Sequence, residues 1–162
     1  MLFRSYSSAD KSTTYNMTGG RFVQAGDHLH IGRDNSNHVT FNLRDGEVTG
    51  ASGHNLYFGN AGANTQGTMN MYGGTISFPN VYIGVAGKGT MNVYGGTSTY
   101  ASAVILANGA GSGTLRFFGG VMSAPYVVGG SGTATVAVSN GTFKVTADTR
   151  SEEHTSELQS RI

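Results

Sequence analysis

The sequence has no cysteine, no tryptophan and only two prolines in 162 residues. Without cysteine, the chain forms neither a disulfide framework nor a thiolate metal site. It also lacks any apolar run approaching the roughly 18 residues that predict a transmembrane helix, and its first residues lack the apolar stretch of a signal peptide. We therefore predict no direct membrane insertion by this fragment, and we expect the signal peptide of an exported parent protein to lie upstream of it.

Charged side chains are scarce as well: Asp, Glu, Lys and Arg make up 12% of the residues, and the formal net charge is +1. No basic cluster is dense enough to follow a phosphate backbone, so we predict no nucleic-acid partner. Carboxylates are few and scattered, and no grouping of Ser, His and Asp is typical of a nucleophilic site. We predict that the chain is not an enzyme and has no catalytic and no cofactor-binding residues.

Two weak ligand motifs have simpler explanations. His28 and His30 have the spacing of same-face metal ligands on a strand, but no cysteine or close carboxylate pair completes a site. The glycine-rich stretches that begin at Gly84 and Asn108 do not match the phosphate-binding pattern G-x-x-x-x-G-K-S/T, and both occur at the same point of a repeat. We interpret these stretches as turns and predict no metal site.

Glycine, in contrast, is abundant, with 26 residues, and it marks an internal repeat. The segments GTMNMYGG from Gly67, GTMNVYGG from Gly89 and GTLRFFGG from Gly113 align directly. Weaker copies begin at Thr14, Val39 and Thr133. The anchoring glycines of the copies are Gly20, Gly46, Gly74, Gly96, Gly120 and Gly141. Their spacing of 21–28 residues is typical of a solenoid and is too short for the blades of a propeller, which need about 40 residues.

Within each copy, apolar and polar residues alternate with the period of two that is typical of strands with one buried face. Three predicted inward columns are Tyr15, Phe41, Met69, Met91, Leu115 and Val136; Met17, Leu43, Met71, Val93, Phe117 and Val138; and Phe22, Val48, Ile76, Ser98, Met122 and Phe143. The last strand of each copy is predicted to insert Leu29 with Ile31, Leu56 with Phe58, Val81 with Ile83, Val104 with Leu106, and Tyr126 with Val128.

A single copy cannot bury its apolar face, whereas stacking copies about 4.8 Å apart turns each column into a continuous ladder. We therefore predict an all-β fold: a right-handed parallel β-helix (β-solenoid) of about six coils of 21–28 residues. A β-sandwich is the alternative. The Gly-Gly pairs suit corners that need a positive φ, and Asp45 and Asn140 replace the first glycine as residues that tolerate this conformation. Residues 1–13 are predicted to be irregular, and residues 14–149 to form the repeat domain.

The predicted outward columns are as regular as the inward ones. A Thr column contains Thr14, Thr40, Thr68, Thr90, Thr114 and Thr135, and an Asn column contains Asn16, Asn42, Asn70 and Asn92 before Arg116 and Ala137. Tyr72, Tyr94 and Phe118 follow in consecutive coils, and His30, Tyr57 and Tyr82 point outward from the last strand before Ile105 and Val127.

These outward residues suggest a glycan-binding site. Exposed rings can pack on the C–H face of a sugar while amide and hydroxyl groups bond to its hydroxyls. The candidate ligand-binding residues are Tyr72, Tyr94, Phe118, Asn70, Asn92, Tyr57 and Tyr82. The alternative is purely structural stacking, because aromatic residues and Thr favour strands and identical side chains stack well between coils. An ordered Thr array also suggests ice binding, more weakly.

The composition changes abruptly at the end of the repeats. Residues 150–160 read RSEEHTSELQS, without glycine or aromatic residues, and resemble the in-frame translation of a short-read sequencing adapter. We interpret residues 150–162 as an artefactual or disordered tail and exclude them from the fold.

The phrase G-T-Φ-N-Φ-x-G-G-T, followed by Φ-x-Φ-G and a glycine-rich turn, resembles the glycine-rich β-strand repeats of bacterial surface proteins, which include autotransporter passengers and PEP-CTERM-sorted proteins. The resemblance covers about residues 14 to 147 and is best from Gly67 to Gly132. It implies a bacterial β-helical stalk, secreted or displayed on the cell surface, that supports adhesion or self-association. It supplies no active site, since the similarity lies in the repeat alone.

We therefore expect a non-enzymatic structural or adhesive repeat module of a larger bacterial secreted or cell-surface protein. The alternative is a carbohydrate-binding or polysaccharide-cleaving β-helix. The expected partners are surface glycans, or other copies of the chain through the ends of the solenoid, where strand edges are unpaired.

Overall fold

The computed structural model describes residues 11–34 and 36–146, which form thirteen β-strands and contain no helix. The strands are β1 Lys11–Gln24, β2 Leu29–Ile31, β3 Asn37–Gly50, β4 Leu56–Phe58, β5 Gln66–Met71, β6 Thr75–Ile83, β7 Lys88–Val93, β8 Thr97–Leu106, β9 Ser112–Phe117, β10 Val121–Ala124, β11 Tyr126–Gly129, β12 Thr133–Val138 and β13 Thr142–Val145. Strand β1 begins at Lys11, so residues 11–13 belong to the first coil and not to an irregular segment. The predicted tail at 150–162 lies outside the described residues.

The strands form three rows of parallel neighbours, and each row runs along the stack of coils. The first row is β1-β3-β5-β7-β9-β12, the second is β1-β3-β6-β8-β10-β13, and the third is β2-β4-β6-β8, with β11 next to β8. Strands β1 and β3 bend from the first row into the second, whereas β6 and β8 continue from the second into the third. This arrangement is a parallel β-solenoid of about six turns, which confirms the predicted fold. Its handedness stays a prediction.

The register confirms the three predicted inward columns. In the first row, for example, Phe41 pairs with Met69, Met69 with Met91, and Met91 with Leu115. In the second row Ile76 pairs with Ser98, which pairs with Met122. In coils 2 to 5 the side chains of these three columns are buried, and the apolar ones form one continuous core along the axis.

The prediction for the last strand was wrong in the fifth coil. Val127 pairs with Val104 and packs against the core, whereas Tyr126 and Val128 are exposed. Gly129 pairs with Leu106 and takes the second inward position. The prediction was one residue out of phase because it aligned Gly129, instead of Gly130, with the glycine that follows this strand in the first three coils.

Another inward column was missed. Phe78, Tyr100 and Ala124 are buried between the second and third rows, and Phe78 pairs with Tyr100. The alternation that starts at Ile76 makes Phe78 the next inward residue. Pro79 follows directly, and because proline is unusual within a strand, the continuation of the strand was not predicted. Coils 3 and 4 also differ by one residue at this point, where the pairing of β6 with β8 is irregular.

Glycine has two separate roles in the coils. The anchoring glycines have positive φ, for example +73° at Gly74 and +82° at Gly96, as predicted for the corners. Asp45 and Asn140 do not adopt the left-handed conformation expected of them; instead, each Oδ1 accepts the N–H of the following glycine, at 2.7 and 2.9 Å. The second role is close packing: a Cβ at Gly89 would lie 2.2 Å from the Gly84 nitrogen.

Candidate functional site

The outward Asn column forms a hydrogen-bonded ladder on the first row. The Asn42 Nδ2 donates to the Asn16 Oδ1 at 2.9 Å, the Asn70 Nδ2 to the Asn42 Oδ1 at 2.9 Å, and the Asn92 Nδ2 to the Asn70 Oδ1 at 2.8 Å. This geometry arises because parallel, in-register strands place identical side chains one strand spacing apart. The two amides predicted to bind sugar, Asn70 and Asn92, therefore already bind each other.

The Thr column runs beside this ladder in the predicted register, with Thr68 next to Thr90 and Thr90 next to Thr114. The side chains on these strands alternate strictly, so Thr90 and Asn92 point to the same outer face about 7 Å apart. The first row thus presents a regular array of hydroxyl and amide groups.

Tyr72, Tyr94 and Phe118, the aromatic strip, continue this face toward the corner. The ring centroids of Tyr72 and Tyr94 lie 5.0 Å apart with 7° between the planes, and those of Tyr94 and Phe118 lie 5.0 Å apart with 12°. The three side chains are 44%, 45% and 40% exposed, respectively. Because the rings stack along the solenoid axis, both faces of Tyr94 are covered, and the strip presents mainly ring edges to solvent.

Arg44 covers the other end of the strip and was missed by sequence reasoning. Its guanidinium carbon lies 5.2 Å from the centroid of the Tyr72 ring, a cation–π contact. The signal was its position, since Arg44 follows the inward Leu43 just as Tyr72 follows the inward Met71. Arg44 was missed because a charged residue was not expected in a column of aromatic residues.

Tyr57 and Tyr82 belong to the third row, so they do not join the aromatic strip in one site. Their centroids lie 4.6 Å apart, and His30 stacks on Tyr57 at 5.0 Å. His30 was predicted to point outward, and it does lie in that column, but only 5% of it is exposed. The pKa of Tyr82 is raised above its usual value, mainly by burial and to a smaller extent by the neighbouring Tyr57 phenol.

The histidines near this stack are held by hydrogen bonds. The Asn55 N–H donates to the His28 Nδ1 at 2.9 Å, so the proton of a neutral His28 ring lies on Nε2. The His28 N–H donates to the Asp27 carboxylate at 2.7 Å, and this bond is the main reason that the pKa of Asp27 is lowered. Within residues 11–34 and 36–146, no three His, Asp or Glu side chains form a group suited to a metal ion.

Comparisons with known proteins gave no match to a protein-family model, a curated protein or a solved structure. The described part of the chain also contains no helix that could cross a membrane.

Proposed function

We propose that this chain is a non-enzymatic structural and adhesive repeat module of a longer bacterial protein that is secreted or displayed on the cell surface. In this proposal the coils supply length, and their end faces accept further coils with the same columns, from the same chain or from another copy. The observation that carries the proposal is the register of the two inward columns of the first row, which continues without a shift from β1 to β12.

The end formed by β12 and β13 supports the stacking part of the proposal. Val136 and Val138 occupy inward columns but are 49% and 56% exposed, whereas their column neighbours Leu115 and Phe117 are buried. No strand follows β12 or β13 on this side within the described residues. Apolar side chains and the unpaired edge of a strand favour the addition of another strand.

The opposite end offers a matching surface. There, β1 contributes Tyr15, Met17 and Phe22, which are partly buried and line an open cavity of about 340 Å³ together with Phe41. Through the columns, Tyr15 is the counterpart of Val136 and Met17 that of Val138. A second copy placed head to tail would therefore continue the inward columns of the first row without a change of register.

Sedimentation velocity of the full chain over a wide concentration range tests this proposal. We expect concentration-dependent oligomers that Val138→Lys suppresses, because a charge in an inward column cannot be buried at the joint. Ala137→Lys is the matched control: it adds the same charge to the same strand, but in an outward column, and should leave the oligomers in place. A monomer at all concentrations, or equal effects of the two substitutions, would contradict end-face stacking.

Carbohydrate binding is the second candidate, and the exposed edges of the aromatic strip favour it. Replacing Tyr72, Tyr94 and Phe118 together by Ala should abolish retention on a glycan array if the strip is the binding site. Retention that is unchanged in the triple variant would exclude the aromatic strip.

A further inference from the structure

The solenoid is strongly asymmetric in charge. Between Glu47 and Asp148 the sequence has no Asp or Glu, so coils 3 to 6 have no carboxylate among the described residues. The two ion pairs of the described chain, Arg21 with Glu47 at 3.0 Å and Arg33 with Asp27 at 3.8 Å, lie in the first two coils. Lys88 and Arg116 therefore carry positive charges that no carboxylate within the described residues neutralises.

Lys88 and Arg116 lie on the same outer face, on the adjacent strands β7 and β9. Lys88 pairs with Ser112 and Asn92 pairs with Arg116, so the two cations are four residues apart along the strand direction. At about 3.3 Å per residue, this separation is about 13 Å. Both side chains are exposed.

The surface between the two cations is polar and shallow. Thr90, Thr114 and Asn92 point outward there and offer two hydroxyls and an amide. At the Lys88 end, a groove of about 160 Å³ runs across the turns, with a floor of small residues. Asn92 is the last member of the Asn ladder, and its Nδ2 donates to the Asn70 Oδ1. The following coil has Arg116 at this position, so no ladder amide donates to the Asn92 Oδ1.

From this geometry we infer that the first-row face binds an acidic oligosaccharide. Two carboxylates of the ligand, about 13 Å apart, contact Lys88 and Arg116, and sugar hydroxyls between them bond to Thr90, Thr114 and Asn92. This inference rests on the adhesive part of the proposed function and names its ligand class; it is independent of end-face stacking.

An acidic glycan fits this face better than a nucleic acid does. Binding of single strands relies on bases stacking on aromatic faces and on a row of phosphate contacts. Here Tyr72, Tyr94 and Phe118 cover the ring faces between them, and Arg44 lies over the outer face of Tyr72. Only two cations lie along the proposed path. Hydroxyl and amide columns, in contrast, match the hydroxyls of a sugar chain.

Titration calorimetry of the full chain with an oligogalacturonate, a neutral dextran and a single-stranded oligonucleotide tests the inference. We expect binding of the oligogalacturonate alone, weakening with added salt. The double variant Lys88→Gln/Arg116→Gln should weaken it at least about tenfold, since charge-assisted hydrogen bonds are lost. Lys144→Gln is the matched control, because Lys144 is exposed on β13 in the second row.

Three results would overturn the inference: equal binding of dextran, an equal loss in Lys144→Gln, or no binding of the oligogalacturonate. Tighter binding of the oligonucleotide would replace the glycan by a nucleic acid. The double variant Lys88→Gln/Arg116→Gln should keep its oligomers in sedimentation, because Lys88 on β7 and Arg116 on β9 do not lie on the strands that form the end faces. Loss of oligomers and loss of glycan binding are therefore separate outcomes.

Discussion

Ser98 is the exception in a column of large apolar residues. It lies between Ile76 and Met122 and is fully buried. Its Oγ makes no hydrogen bond of good geometry in the described chain, and its proximity to the Tyr100 phenol lowers the pKa of that phenol against the larger effect of burial. The Tyr100 phenol, two residues on, donates instead to the Met91 Sδ at 3.6 Å. A buried hydroxyl without a partner destabilises the folded state.

We therefore expect Ser98→Val to raise the free energy of unfolding by about 1–2 kcal/mol, measured by urea denaturation. Ser77→Val is the matched control, since Ser77 is exposed on the neighbouring coil and its substitution should have little effect. A less stable Ser98→Val protein would show that the Ser98 hydroxyl is bonded in the core.

Because of Tyr100, we expect the free energy of unfolding to depend on pH in the alkaline range. Complete burial raises the pKa of its phenol well above the usual value, because the charged form loses its hydration. The neutral phenol is thus favoured in the folded state, and its contribution is complete below the unfolded pKa of about 10 and is lost as the pH rises above it.

The expected loss in the natural chain is about 1.4 kcal/mol per pH unit above pH 10 from this residue. Tyr100→Phe should remove this contribution and give a flatter dependence, at little cost near neutral pH because sulfur is a weak acceptor. Urea denaturation between about pH 8 and 11 compares the two proteins. Parallel losses of stability would contradict the assignment to Tyr100.

At the scale of the strand, the glycine that opens a repeat allows close packing between coils. Gly89 has no positive φ, and a Cβ there would lie 2.2 Å from the backbone nitrogen of Gly84. We expect Gly89→Ala to lower the free energy of unfolding by about 2–3 kcal/mol, because backbone must move to admit the methyl group. In Gly26→Ala, where no atom lies within 4 Å of the new Cβ, thermal unfolding should change little. Similar losses in both variants would show that close packing is not the reason for Gly89.

The Asn ladder is a second property of the strands. Asn70 makes two ladder hydrogen bonds and Asn92 makes one. Because each such bond contributes about 1 kcal/mol, Asn70→Ala should cost about twice as much as Asn92→Ala in urea denaturation. Equal costs would mean that the ladder bonds contribute little beyond the solvation of the amides.

The strands also show what the sequence could predict. The inward columns and glycine corners were predictable because a period of two and a repeat of 21–28 residues constrain each other. The inward Phe78 and Tyr100 were missed because Pro79 and one additional residue interrupt the alternation. The stacking of the rings in the aromatic strip and the burial of His30 could not be predicted, because they depend on side-chain contacts between coils that an alignment of the repeats does not give.

Considered as a whole, the molecule is a stack with two different ends, which we propose to be complementary. Its inward columns begin at Tyr15 and Met17 and end at Val136 and Val138. Head-to-tail contacts of the proposed kind would not close on themselves, so they would give open filaments instead of a fixed oligomer. The acid-free coils would then recur along each filament and repeat the proposed glycan-binding face.

Cysteine cross-linking tests head-to-tail stacking most directly, because the sequence has no cysteine to interfere. Within one molecule, Thr14 and Thr135 stand at opposite ends of the Thr column, about 24 Å apart, far beyond the reach of a disulfide. Head-to-tail stacking brings Thr135 of one copy to about 4.8 Å from Thr14 of the next. As a control for the fold, Thr68→Cys/Thr90→Cys should form a disulfide within the monomer.

The decisive measurement is non-reducing electrophoresis of oxidised Thr14→Cys/Thr135→Cys. Head-to-tail stacking predicts a ladder of disulfide-linked oligomers that extends beyond the dimer, while either single-cysteine variant stops at the dimer. A double variant that stays monomeric, or that also stops at the dimer, would contradict head-to-tail stacking of the coils.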